Sequence, residues 1–201
     1  TPKSRFKIKP FIQKFGIDTN EFQKSVDSFS SFNDFFIRKL KQEARPIEKG
    51  EKIATFPADG RHLVFPDISL SNGFYVKGKK FDLLKLLKSE TLFNRYKKGG
   101  LVISRLCPTD YHRFHFPCEC VPSQAEPIEG PLFSVNPLAL FKNINILNEN
   151  KRVITHLKTK EFGEVLFIEV GATFVGAVKQ TYAPQMLCRK GDEKGLSLIH
   201  I

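Results

Sequence analysis

The chain has 201 residues, of which 41% are hydrophobic and 26% are charged, as in an ordinary globular protein, and it contains no low-complexity tract. No apolar run approaches the ~20 residues of a membrane-spanning helix, and the first ten residues lack the apolar core of a signal peptide. The net charge of +11 is compatible with nucleic acid, an anionic membrane or an acidic small molecule as the binding partner. Four cysteines are too few for a secreted disulfide framework, which favours a reducing compartment.

The N-terminal part is basic and is predicted to be helical with breaks. Residues 1–52 carry 12 Lys and Arg against 7 Asp and Glu. The clearest helix begins at Ser31, where Ser31 and Asp34 form a capping-box pattern, and it ends near Pro46. One face of this helix carries an aromatic stripe made of Phe32, Phe35, Phe36 and Leu40. The stripe either packs on the core of the domain or, with basic residues beside it, lies in a membrane interface.

The next segments alternate between short strands and one helix. Residues 53–66 favour a strand, a turn at 57–60 and a second strand, because Asp59-Gly60 is a hairpin turn signal. A short strand is expected from Gly73 to Val76. A Leu-rich helix is expected over 81–87, with its apolar face in the core.

The densest group of reactive side chains lies in residues 101–120. Leu101, Val102, Ile103 and Leu106 form an apolar run that predicts a buried strand. Pro108 ends it because proline lacks a backbone donor. The run Asp-Tyr-His-Arg-Phe-His at 110–115 follows. Such polar density at a strand end is typical of a pocket or of a charged-ligand site. His112 and His115 would face opposite sides of an extended segment, so different roles are expected, with a structural imidazole as the alternative for one.

The remainder favours an antiparallel sheet. Residues 130–137 are loop-like because two prolines interrupt them, whereas 152–157, 165–170 and 174–182 are predicted strands. Many short strands after N-terminal helices predict an α+β fold with a β-rich core domain, preceded by amphipathic helices.

Six short motifs lie in order along the chain between Phe32 and Gly195. They are FNDFFIRKLKQEARP at 32–46, PADG at 57–60, a Val-Lys-Gly before a Leu-Leu helix at 76–87, DYHRFHFP at 110–117, GPLFSVNP at 130–137 and VGATFVG at 170–176. In this order they resemble the phosphatidylserine decarboxylase family.

The resemblance implies an enzyme that makes its own cofactor. In this family a Ser in a Gly-Ser-Thr site attacks the preceding carbonyl, the resulting ester eliminates, and the new N-terminus becomes a pyruvoyl group. By motif position Asp59 would be the orienting carboxylate and His115 the base, which is the general logic of an activated nucleophile. The pyruvoyl group would then serve as electron sink while phosphatidylserine loses carbon dioxide to give phosphatidylethanolamine. His115 would reprotonate the carbon.

The resemblance also implies partners. His112 would contact the phosphate or carboxylate of the lipid, together with Tyr111 and Arg113. The Phe-faced helix then makes better sense as an anchor on an anionic membrane surface, so a peripheral membrane location is expected. A small C-terminal subunit and a homodimer are further expectations from the family.

The chain departs from the family pattern at its end. Residues 190–195 match the approach to the processing site, but residues 196–201 read LSLIHI and carry no Gly-Ser-Thr. Ser197 lacks the preceding Gly, so it is not assigned the role. We therefore expect a membrane-associating segment at 1–48, a catalytic domain at 49–195 and a divergent tail at 196–201, and we expect this chain alone to be inactive.

Two other classes of protein compete with this interpretation. A zinc-stabilised module would use His112, His115, Cys118 and Cys120, although one residue between the cysteines is not a common zinc spacing. A nucleic-acid binder would show clustered basic residues with exposed aromatic residues, whereas the basic residues here are dispersed.

Overall fold

The structure, a computed structural model, describes residues 2–69, 75–76 and 79–199. The helices in these ranges are α1 Ile8–Phe15, α2 Phe32–Phe36, α3 Leu83–Leu87, α4 Glu90–Tyr96, α5 Pro137–Lys142 and α6 Ile146–Glu149. Short 3-10 turns lie at Pro2–Lys7, Thr19–Glu21, Val26–Ser28 and Gln42–Ala44. Within these ranges no helix is both long and apolar enough to cross a membrane.

The strands follow the first two helices and pair antiparallel throughout the described ranges. They are β1 Arg61–Phe65, β2 Tyr75–Val76, β3 Lys79–Lys80, β4 Leu101–Arg105, β5 Arg113–His115, β6 Val121–Pro122, β7 Glu126–Ile128, β8 Arg152–Lys158, β9 Glu164–Val170, β10 Ala177–Gln180 and β11 Glu193–Leu198. One sheet has the order β10-β11-β5, in another β8 pairs with β6, β7 and β9, and β1–β4 and β2–β3 form two pairs. The predicted α+β class with a β-rich core is confirmed.

The N-terminal helices enclose an aromatic core of their own. Its buried members are Ile8, Phe22, Phe29, Phe32, Phe35 and Phe36. Several ring pairs in it are edge-on, such as Phe29 and Phe35 with centroids 5.8 Å apart, an arrangement that aromatic side chains prefer.

Helix α2 begins where the sequence predicted and ends earlier. Ser31 caps it, because the Ser31 hydroxyl accepts a hydrogen bond from Asp34 N at 3.1 Å. The helix stops at Phe36, so the expected continuation toward Pro46 does not form. The Phe stripe is buried, with Phe35 at 0% exposed, and it therefore lies in the N-terminal core rather than on a membrane-facing surface.

The largest strand pair is β8 with β9, in register from Arg152 opposite Val170 to Lys158 opposite Glu164. Ile154 and Leu157 lie on opposite faces of β8 and are both almost completely buried, so both faces of this strand are covered. The strands predicted at 152–157 and 165–170 are thus confirmed, and the segment 174–182 contains β10 after a tight turn at 172–175.

The Asp-Gly turn is not part of a local hairpin, which corrects the sequence expectation. Residues 53–56 form no strand, and β1 pairs instead with β4 from Arg61 opposite Arg105 to Phe65 opposite Leu101. Gly60 permits this, since a Cβ there would lie 2.5 Å from Arg105 O. Strand β4 is also less buried than predicted, with Val102 48% exposed, because β1 is its partner in a sheet of two strands.

The C-terminal segment belongs to a sheet. Strand β11 runs through residues 196–198 and pairs with β10 on one side and β5 on the other. The expected strand residues Gly73 and Phe74, the Lys-Gly pair at 77–78 and the residues from His200 onward lie outside the described part of the chain.

Candidate functional site

The reactive motif at 110–115 lies where a turn enters β5. Asp110 N donates to Cys107 O at 3.0 Å, while the Asp110 carboxylate accepts from Cys107 N at 2.6 Å. This reciprocal pair fixes the turn after β4. Strand β5 then lies beside β11.

His115 is half-buried, and one of its two ring nitrogens has a hydrogen-bond partner among the described residues. Its Nδ1 donates to Gly191 O at 2.9 Å, and its backbone N donates to Pro57 O at 2.7 Å. Because a carbonyl only accepts, Nδ1 carries the proton of the neutral ring and Nε2 presents a lone pair. Among the described residues Nε2 makes no hydrogen bond. His115 is therefore arranged as a proton acceptor.

Gly191 is the residue that sets this tautomer. It adopts φ +88°, in the left-handed region that favours glycine, within the turn before β11. The sequence prediction placed the Asp59 carboxylate against the His115 ring to fix its tautomer, whereas the structure places the Gly191 carbonyl at Nδ1. The Gly in the Lys-Gly-Asp run at 190–192 was the available signal for this turn.

Asp59 lies in the turn that contacts His115, but its carboxylate has other partners. Arg45 Nε and Nη2 donate to it at 2.8 and 2.7 Å, and Arg45 Nη1 donates to Glu21 at 2.9 Å. Within the described residues no hydrogen bond joins Asp59 to His115. Sequence analysis missed Arg45, whose pKa the two carboxylates raise.

Tyr111 packs its ring against His115, with centroids 5.7 Å apart and planes inclined by 23°. The side chain is 8% exposed. Burial raises the pKa of Tyr111 to about 12. The Arg113 guanidinium lowers this pKa, and the carboxylates of Glu193 and Asp59 raise it. The phenol is thus a neutral group beside the imidazole, able to donate a hydrogen bond.

His112 is buried, with 4% of its surface exposed. Its ring stacks on Phe36 at a centroid distance of 3.8 Å, and Nε2 donates to Cys107 O at 2.9 Å. Burial lowers the pKa of His112 to about 4. The ring is therefore neutral near pH 7, and its present contacts favour packing between α2 and the motif over contact with a charged ligand.

Arg113 is also buried and is occupied on two sides. Its Nε donates to Ile37 O at 2.8 Å and its Nη1 to the Glu193 carboxylate at 2.7 Å. It therefore joins α2, β5 and β11.

The structure brings the five predicted site residues into one region but gives them different surroundings. Three are buried and the turn carrying Asp59 meets His115 through the backbone. In the described part of the chain no group of three or more His, Cys, Asp or Glu is arranged to hold a metal ion. Of the residues suggested for zinc, His112 and His115 bond to backbone carbonyls, and Cys118 and Cys120 are buried free thiols.

The fold and the site define an α+β protein with a histidine arranged for acid–base chemistry. The family model described as phosphatidylserine decarboxylase matches residues 32–198, which includes all five site residues and β11. The chain therefore belongs to the phosphatidylserine decarboxylase family.

Similar proteins agree with this assignment. The phosphatidylserine decarboxylase proenzymes of Chlamydia pneumoniae and Chlamydia felis are each 50% identical to the chain over 192 residues. That of Chlamydia trachomatis serovar D is 46% identical over the same length. Each alignment covers 96% of this chain, and the chain spans 64% of each of these relatives.

Proposed function

We propose that this chain is part of an enzyme that decarboxylates phosphatidylserine to phosphatidylethanolamine. The observation that carries the proposal is that His115 Nε2 makes no hydrogen bond within the described part of the chain, at the last position of the Asp-Tyr-His-Arg-x-His motif in a chain of this family. An imidazole with one nitrogen bound to a carbonyl and the other unshared is suited to take and return a proton.

In the proposed self-cleavage His115 Nε2 removes the proton of a serine hydroxyl, and Gly191 O holds the ring in the required tautomer. Asp59 would act through its turn, in which Pro57 O accepts a hydrogen bond from His115 N. In the decarboxylation His115 returns a proton to the carbon that has lost carbon dioxide. Tyr111 is the best-placed substrate contact, since its hydroxyl makes no hydrogen bond within the described residues.

His112 and Arg113 would support this contact through the packing and hydrogen bonds described above. Their direct contact with the lipid headgroup stays a prediction. Either residue would have to leave a buried position to make it.

The proposed cofactor is a pyruvoyl group made from a serine outside these 201 residues, which contain no Gly-Ser pair. In support, β11 reaches the end of the family match and pairs with the strand that carries His115, with Glu193 at the start of β11 opposite that histidine. Once formed, a pyruvoyl carbonyl supplies the electron sink for decarboxylation. We propose that the 201-residue chain by itself is inactive, so carbon dioxide release from phosphatidylserine above background would contradict this.

The full-length proenzyme that contains these residues tests the function. We expect the wild type to split into two subunits and to release carbon dioxide from phosphatidylserine, and His115→Gln to remain unsplit. Gln keeps a donor for Gly191 O but cannot take a proton. His156→Gln, in β8, serves as the control and should split normally. A His115→Gln proenzyme that splits at the wild-type rate would refute the assignment.

We further propose that the enzyme binds an anionic membrane peripherally, from a reducing compartment, through the first helices. The Phe stripe of α2 is buried and cannot contact a membrane. The proposed membrane-binding surface is therefore formed by α1 and the turn before it. Phe6 and Phe15 are 74% and 48% exposed there. Lys7, Lys9 and Lys14 lie in the same segment. Exposed aromatic and basic side chains together suit an interfacial segment. The small subunit and the homodimer stay predictions from the family.

A further inference from the structure

Lys194 is a charged residue of β11 that is fully buried, with 0% of its surface exposed. Its ammonium pairs with the Glu169 carboxylate in β9 and donates to Gln180 Oε1 in β10 at 2.8 Å. Glu169 and Gln180 are also joined, since Gln180 Nε2 donates to Glu169 Oε1 at 3.1 Å. These three side chains form one buried polar network, which connects the sheet of β10, β11 and β5 with the sheet that contains β9.

Three aromatic rings surround the ammonium of Lys194. Its Nζ lies 4.7 Å from the ring centroid of Phe167, 5.2 Å from that of Tyr182 and 5.7 Å from that of Phe114. The faces of aromatic rings attract a desolvated cation. A buried charge is costly unless it is paired, and removing one partner of a buried pair is strongly destabilising. The side chain of Lys194 is therefore held firmly in this one place.

Lys194 is the extra residue of a β-bulge. Glu193 lies opposite His115 and Gly195 lies opposite Phe114, so Lys194 is the residue that the bulge adds to β11. Without a bulge the pairing of β11 with β5 would continue in step and would put Lys194 itself opposite His115. The bulge therefore moves the residues before Lys194 by one position along β5.

This shift determines which carbonyl reaches the ring of His115. The turn before β11 is held to β5 by two backbone hydrogen bonds, from Gly191 N to Phe116 O and from Phe116 N to Asp192 O, both at 2.9 Å. In this position Gly191 O accepts the hydrogen bond from His115 Nδ1. A turn displaced by one residue would bring Asp192, which has a side chain, to the left-handed conformation that Gly191 adopts.

The two residues at the bulge point to opposite faces of the sheet, because side chains alternate along a strand. Glu193 points to the face of the candidate site, where its carboxylate accepts from Arg113 Nη1 at 2.7 Å. Lys194 points to the other face, among the rings of the core. Lys194 therefore acts on His115 through the backbone of residues 191–193 and not by contact.

We propose that Lys194 is a positioning residue for His115: its buried side chain anchors the bulge that places Gly191 O against the imidazole. In support, the bulge lies directly opposite His115, at the start of β11. The positioning concerns contacts of the described residues alone. Its consequence for self-cleavage rests on the proposed function, in which His115 is the base.

The positioning is tested first in the 201-residue protein by NMR. The nitrogen chemical shifts of the His115 ring distinguish the Nδ1–H form from the Nε2–H form of a neutral imidazole. The hydrogen bond to Gly191 O should favour the Nδ1–H form about tenfold in the wild type. We expect Lys194→Ala, which removes the anchor, to lose this preference. The double variant Lys194→Ala/Glu169→Gln should lose it too, and it leaves no unpaired carboxylate in the core to prevent folding.

Leu86→Ala is the matched control, because Leu86 is buried in a separate cluster with Phe81 and Ile144. This substitution leaves a cavity in the core and lowers stability without touching the bulge, so the wild-type preference for the Nδ1–H form should be kept. Retention of that preference in both Lys194 variants, or its loss in Leu86→Ala, overturns the proposal.

The consequence for self-cleavage is tested in the full-length proenzyme by the time course of its splitting into subunits. We expect Lys194→Ala/Glu169→Gln to split about tenfold more slowly than wild type, and Leu86→Ala to split at nearly the wild-type rate. Equal rates for wild type and the Lys194 variant overturn the role in self-cleavage and leave the proposed function intact. A wild-type proenzyme that never splits overturns the proposed function, and the role of Lys194 in self-cleavage with it.

Discussion

At the scale of single residues, burial sets the protonation of His112. Its pKa falls from 6.5 to about 4 because the charged form is desolvated. The unfolded chain binds this proton more readily than the folded one, so the free energy of unfolding decreases as the pH falls from 6.5 toward 4. Above 6.5 the group contributes its full stability.

We expect His112→Phe to lose this pH dependence, since Phe keeps the stack on Phe36 but does not titrate. Urea unfolding should show that the wild type loses on the order of 3 kcal/mol more than the variant between neutral pH and the folded pKa. The His112 resonances followed by NMR should titrate near pH 4. Parallel pH profiles for the two proteins would contradict the buried, neutral ring.

Burial also controls the pKa of the cysteine thiols and therefore their reactivity. It raises the pKa of Cys120 to about 12, and it raises the pKa of Cys118 and Cys188 as well. All four cysteines are free, and Cys107 is less buried than the other three. Thiolates react with disulfide reagents and buried thiols do not. We therefore expect the native protein to react at Cys107 first and the unfolded protein at all four, as measured by stoichiometry of labelling. Rapid native labelling of Cys120 would contradict the burial.

At the scale of elements, β11 depends on a residue without a side chain. A Cβ at Gly195 would lie 2.6 Å from Lys179 O on one neighbouring strand and 2.7 Å from the Phe114 ring on the other. We expect Gly195→Ala to lower the free energy of unfolding by about 1–3 kcal/mol, because both neighbours must move. Gly99→Ala is the control, since its nearest contact is Tyr96 O at 3.2 Å. Equal denaturation midpoints for the two variants would refute the close packing of β11.

At the scale of the whole molecule, a net charge of +11 predicts attraction to anionic surfaces. We expect the protein to bind anionic vesicles, to bind neutral ones weakly, and to dissociate as salt is added. Replacing Phe6 and Phe15 together by Ser should weaken binding by about tenfold, because their exposed rings would no longer enter the interface.

The control for this experiment is Phe174→Ser, because Phe174 is 73% exposed but lies outside the N-terminal helices. Vesicle cosedimentation at fixed ionic strength gives the affinities. Binding that is unchanged by loss of Phe6 and Phe15, or reduced equally by loss of Phe174, would exclude α1 and the preceding turn as the membrane surface.

Local chemistry made part of this structure predictable. Residue types that are close together in the chain are enough to predict a helix cap, a strand or a loop. The features predicted in this way are the Ser31 cap, the strands β8 and β9 and the loop at 130–137. The density of polar groups at 110–115 marked the candidate site for the same reason. Motif order, which is also a property of sequence, indicated the family.

Tertiary contacts decided what those elements touch. The same Phe stripe suits a core or a membrane, and only the packing of α2 on Phe22, Phe29 and His112 selected the core. The partner of β1 is β4, about forty residues away, because pairing across the fold is not encoded in a local turn signal. The sequence by itself therefore determined the fold class and the family, and it indicated a candidate site. The three-dimensional arrangement decided that Gly191 O orients His115 and that Arg45 pairs with Asp59, because each is a contact between separate segments of the chain.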